Sequence, residues 1–187
     1  FMGMLAGAIW AGIAGYLKAY FNASEVIVTI MLNYTALHIV NYVIREILTE
    51  KAEITASIPE AASLRMQFLY QLTGKSTLHG GLFIAILAVF LVWLIMNKTT
   101  TGFELKTVGL NKHAAEYAGM SAKKTIILAM VISGALAGLG GVMEGLGTFQ
   151  NAFASESLPS IGWDGMAVSL LGLNNPIGIL FSALVFA

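Results

Sequence analysis

Cysteine is absent from the 187 residues, which removes disulfide frameworks, thiolate metal sites and cysteine nucleophiles at once. Charge is scarce: Asp, Glu, Lys and Arg make up 11% of the chain, against about 25% in an ordinary globular domain. The ten basic and ten acidic side chains cancel, so there is neither a basic field to attract nucleic acid nor an acidic tail. The three histidines, His38, His79 and His113, stand far apart, without the HExxH type of spacing that seats a metal. TGKST at residues 73–77 is not a phosphate-binding loop, because GxxxxGKS needs glycine where Leu69 stands and no strand pattern precedes it. No catalytic, metal or cofactor set is therefore expected, which disfavours an intramembrane enzyme.

What fills the chain is apolar. Hydrophobic residues make up 57% and the mean hydropathy is +0.79. Runs free of formal charge, or nearly so, at about residues 1–17, 26–44, 80–96, 126–147 and 165–187 approach or exceed the roughly 20 residues that cross a hydrocarbon core. The expectation is an all-α, polytopic integral membrane protein: one helical transmembrane domain over 1–187, with a broken helix near its C-terminal end. The chain starts and stops inside apolar runs, so it is read as a piece of a longer protein, truncated at both ends. Gly3, Gly7, Ala11 and Gly15 recur every four residues, and Gly134, Gly138, Gly141 and Gly145 lie within a narrow arc. Both are faces on which another backbone can approach closely.

Polar residues inside apolar runs need partners or water. Thr29, Asn33, Tyr34 and Asn41 share a broad arc of the second span; they either bond to a neighbouring helix or wall a solute path. His38 is read as a satisfied packing histidine. Glu144, beside the glycine arc, is either a structural acid or a polar group at the outer mouth of a pathway. Pro176, inside GLNNPIG at residues 172–178, lacks an N–H and its ring opposes the carbonyl of Gly172, so the helix should break there. Broken helices at membrane depth lie buried in protein or line a cavity. Asn174 and Asn175 would supply polar atoms to such a site, although a re-entrant turn needed only for packing fits the same string.

Residues 97–125 hold five of the ten basic residues. Asn111 is a good N-cap, residues 112–118 can form about two turns, and Gly119 is a natural terminator. A helix that short is marginal alone in water, so it either docks through Ala114, Ala115, Ala118, His113 and Tyr117 or belongs to an ordinary solvated loop. Lys18 and this loop place six Lys and Arg on one side, against Arg45, Lys51, Arg65 and Lys75 in the connection at 45–79. By the positive-inside rule the 97–125 loop is cytoplasmic and the 45–79 loop external. Three Asn-X-Ser/Thr triplets, at residues 22, 33 and 97, then fall in the bilayer or the cytoplasm and are discounted as glycosylation sites.

Three strings go further: TTTGFELKTVGLNKHAAEYAGM at residues 99–120, EVIVTIMLNYTA at 25–36 and GWDGMAVSLLGLNNPIG at 162–178. Together they resemble the permease subunits of the ribose and branched-chain amino acid type of ABC importer, the nucleoside (purine or guanosine) permeases most of all. The resemblance implies a subunit in a prokaryotic cell membrane that works by alternating access, partnered by an ATP-binding cassette ATPase, a second permease subunit, identical or homologous, and an external substrate-binding lipoprotein. ATP and magnesium would sit in the ATPase, none in this chain. Coupling would run through Gly109, Asn111, Ala114, Ala115, Tyr117 and Gly119, and the solute path would involve Asn33, Tyr34, Glu144, Asn174 and Asn175. The competing expectations are a permease for branched-chain amino acids or simple sugars and, in another class, a secondary transporter or channel without an ATPase.

Overall fold

A computed structural model describes residues 1–49, 54–55 and 80–186. The connection expected at 45–79, with TGKST and His79, lies mostly outside those residues. Four helices are long and apolar enough to cross a membrane, Met2–Phe21, Glu25–Leu48, Gly81–Lys98 and Ala122–Phe149, and they overlap the first four of the uncharged or nearly uncharged runs. We label the helices α1 (Met2–Phe21), α2 (Glu25–Tyr42), α3 (Gly81–Lys98), α4 (Thr100–Leu110), α5 (Lys112–Tyr117), α6 (Ala122–Glu144), α7 (Ile161–Leu171) and α8 (Pro176–Phe186). Helices α2 and α6 each run on into a π-helical turn, Val43–Leu48 and Gly145–Phe149. The second span is therefore longer than its uncharged run and carries Arg45 within it. Thr29 and Thr35 return their hydroxyls to carbonyls of their own helix, at Glu25 and Met31, 2.8 Å in each case.

The chain falls into two compact units, Phe1–Leu82 with Ile126–Leu158, and Phe83–Thr125 with Pro159–Ala187. In the first, α1 and α6 cross antiparallel, backbone on backbone. A β-carbon built on Gly7 would collide with the carbonyl oxygen of Gly134, one on Gly138 with that of Gly3, and one on Gly15 would lie 2.9 Å from Cβ of Met130. The two glycine faces meet as their spacing predicts, but only in part: a β-carbon built on Gly141 or Gly145 would point into open space. Where α1 ends, Asn22 takes the left-handed conformation at φ 52°, and the Lys18 ammonium pairs with the Glu25 carboxylate at 2.5 Å, pinning α1 to the start of α2. At the other end of α2, Asn41 clamps the segment that follows α6. Its Nδ2 donates to the Ser155 carbonyl at 2.7 Å, and its Oδ1 accepts from the Ser155 N–H at 3.1 Å. Thr55 pairs with Ala152 beside it, through N–H to carbonyl and N–H to hydroxyl bonds of 2.9 Å each. His38 is not packed as expected. It is exposed and its ring makes no hydrogen bond among the described residues.

In the second unit the 97–125 segment is mostly helix rather than loop. Besides the expected short helix it contains α4, eleven residues that the glycines and the threonine run had obscured. The break at 172–178 is present, and its halves fold back on each other instead of continuing one span. Leu173 and Asn174 both take φ 54°, which reverses the chain. The Ser182 hydroxyl then reaches the Val168 carbonyl of α7 at 2.8 Å. Gly172 and Gly178 meet at the turn, where a β-carbon on Gly172 would lie 2.6 Å from the Ile179 nitrogen. At 1.5 Å per residue, α7 with its eleven residues spans about 16 Å, roughly half a bilayer core.

Candidate functional site

The short helix α5 is held by its two ends. Asn111 adopts extended backbone (φ −154°, ψ 104°), and its Oδ1 accepts from the Ala114 N–H at 3.1 Å. At the far end Gly119 takes φ 82°. Its N–H bonds the Glu116 carbonyl, and the Met120 N–H bonds that of Ala115, both at 3.0 Å. That pair of bonds is a Schellman closure, which favours glycine at the left-handed position. Six residues of helix thus have both sets of terminal groups partly satisfied, and α4 packs alongside.

The faces of α5 differ sharply. Ala115 is 0% exposed, whereas Tyr117 is 95% exposed and Leu110, just before the cap, 89%. Of the residues expected to meet a partner, Asn111, Ala114, Tyr117, Gly109 and Gly119 are exposed. Ala115 is enclosed by its own chain, so it seats α5 rather than touching anything outside. Leu110 was missed because α4, whose last residue it is, was itself not read as a helix.

The expected path residues do not gather into one cluster of hydrogen bonds. Asn33 and Tyr34 are exposed on α2, Tyr34 by 52%, and Glu144 is half-buried before the π-turn. None of the three has a side-chain hydrogen bond or ion pair among the described residues. Asn174 and Asn175 belong to the other unit, and their oxygens each accept one local bond. Asn174 Oδ1 accepts from the Ser169 hydroxyl at 2.9 Å, and Asn175 Oδ1 accepts from the Ile177 N–H at 3.0 Å, capping α8 in front of Pro176. Each oxygen keeps a second lone pair, and each Nδ2 its hydrogens, for a further partner. Asn41 carries the most specific polar contact in the first unit, and its sequence signal was no stronger than that of its neighbours.

No group of three or more His, Asp or Glu able to hold a metal occurs among the described residues. Over residues 1–187 the chain matches the family described as "Branched-chain amino acid transport system / permease component". It belongs to that family. This permease is 52% identical over 178 residues to the guanosine ABC transporter permease protein NupP of Bacillus subtilis (strain 168), an alignment covering 95% of this chain and 51% of that protein. It is 48% identical over 192 residues to the nucleoside ABC transporter permease protein NupB of Lactococcus lactis subsp. cremoris (strain MG1363), covering 100% and 53%. It is 32% identical over 191 residues to the glucose ABC transporter permease protein TsgB13 of Haloferax volcanii, covering 98% and 50%. The permease chain thus spans about half the length of the curated relatives it matches. No solved structure matches it. Four long apolar helices make it a multi-pass membrane protein.

Proposed function

We propose that this chain is part of the membrane-spanning subunit of an ATP-driven importer of nucleosides. An external binding lipoprotein delivers the solute, and a cassette ATPase hydrolyses ATP on the cytoplasmic side. The permease works as a pair, with an identical or homologous second subunit. It has no ATP site of its own: ATP and magnesium are held by the ATPase. The observation that carries the reading is α5, a helix too short to persist unaided, capped at both ends and sealed by Ala115, with Tyr117 left bare. A large aromatic on a rigid knob is the kind of anchor that dominates protein interfaces. The nucleoside assignment draws on the two relatives near half identity; the sugar reading draws on the glucose permease at 32%.

The test is uptake by the full-length permease, assembled with its ATPase and binding protein in proteoliposomes. Labelled guanosine should enter only with ATP, and unlabelled uridine should compete while ribose, glucose and leucine do not. Uptake of leucine or glucose alone would remove the nucleoside assignment. Tyr117→Ala should weaken ATPase binding by about 2 kcal/mol, roughly 30-fold. It is a cleaner probe than Ala115→Arg, which would force a charge into the packing beneath α5.

A further inference from the structure

The corner between α3 and α4 is built more tightly than a connection requires. A single residue, Thr99, separates the two helices, in extended backbone (φ −120°, ψ 156°). Its hydroxyl donates to the Ile95 carbonyl at 2.6 Å and accepts from the Gly102 N–H at 3.1 Å, so one side chain bonds both helices. Asn97 makes a second brace: its Nδ2 donates to the Trp93 carbonyl at 3.0 Å and its Oδ1 accepts from Lys106 Nζ at 2.9 Å. Gly102 is buried between these braces. A β-carbon there would lie 2.6 Å from both Cα and the carbonyl oxygen of Met96, and closer still to the Ile95 oxygen. All of these are backbone atoms and cannot rotate aside. Glycine inside a helix costs up to about 1 kcal/mol relative to alanine, and here it is the residue that lets the corner close.

α5 is joined to α6 through residues 118–121 on one side and to α4 and then α3 on the other, so one of its two routes into the long apolar helices runs through this corner. We propose that this corner is a rigid crank, in which Thr99 and Gly102 are positioning residues that carry displacement of α5 into α3 and so set how much solute moves per ATP hydrolysed. The inference rests on the coupling reading above. Gly102 is buried and Thr99 half-buried in the corner, off the exposed face of α5 that the coupling reading gives to the ATPase. Loosening the corner should therefore leave docking and hydrolysis in place and let the motion dissipate.

The experiment reads two rates from one preparation, ATP hydrolysis and labelled guanosine uptake, in the full-length permease with its ATPase and binding protein. Gly102→Ala and Thr99→Val should each keep hydrolysis within about twofold of wild type and lower guanosine moved per ATP about tenfold. Thr99→Ser keeps the hydroxyl and should restore the ratio. Lys106→Met removes only the outer brace and should lower the ratio about threefold. Thr99→Val, nearly the same shape as threonine, keeps the test valid should Gly102→Ala fail to assemble. An unchanged ratio in Thr99→Val overturns the crank, as does a parallel fall of both rates that Thr99→Ser does not repair. Guanosine uptake by wild type without any ATPase is a different result: it removes the coupling reading, and the crank falls with it.

Discussion

Gly7 and Gly141 are the same residue type in the same kind of helix, and they should answer substitution in opposite ways. Gly7 is pressed against the Gly134 carbonyl, while a β-carbon on Gly141 would meet nothing within 4 Å. Gly7→Ala should destabilise the protein by about 1–3 kcal/mol through overpacking. Gly141→Ala should be neutral or gain up to about 1 kcal/mol from helix propensity. Thermal unfolding in detergent separates the two. Periodicity marked both stripes in the sequence, because a repeat of four is visible without a partner. Which half of each stripe would be used was not visible, since that depends on where the antiparallel crossing falls. The asparagines divide likewise. Asn111 was legible as a cap because capping is a local event. Asn41, whose partner Ser155 is 114 positions away, was not.

The helical elements were read well where an uncharged run defined them and poorly where contacts do. Helix α4 contains two glycines and begins with threonines, so its intrinsic propensity is low; the Thr99 cap and its seat on α3 supply what propensity lacks. The hairpin of α7 and α8 was legible as a break at Pro176, whereas the folding back depends on two consecutive left-handed residues that sequence does not announce. At this scale Asn175 offers a test. Asn175→Ala removes the α8 cap and should cost about 1 kcal/mol, while Asn175→Asp, which keeps the accepting oxygen, should cost much less. Hydrogen exchange over residues 176–180 should quicken in the first variant only. If both behave alike, the cap is not what starts α8.

For the whole molecule the decisive question is sidedness. The expectation that residues 97–125 face the cytoplasm rests on six Lys and Arg against four, a modest bias that topology rules nonetheless respect. The lack of cysteine in these 187 residues helps the check. Glu116→Cys, on α5, should react with a membrane-impermeant maleimide only in inside-out vesicles, and Glu156→Cys, beside the Asn41 clamp, only in intact cells. Labelling of Glu116→Cys from outside would reverse the orientation and leave α5 without an ATPase to meet. The crossing of α1 and α6 has a further bearing on the transport cycle. Because main-chain atoms rather than side chains form its centre, small slips are blocked: moving α1 by one residue would bring Ala6 or Ala8 to the place Gly7 occupies, against a carbonyl that cannot yield, whereas a jump of one turn would bring Gly3 there. The two helices therefore do not creep past each other by fractions of a turn, and smaller openings within that half of the molecule fall to the elements around them.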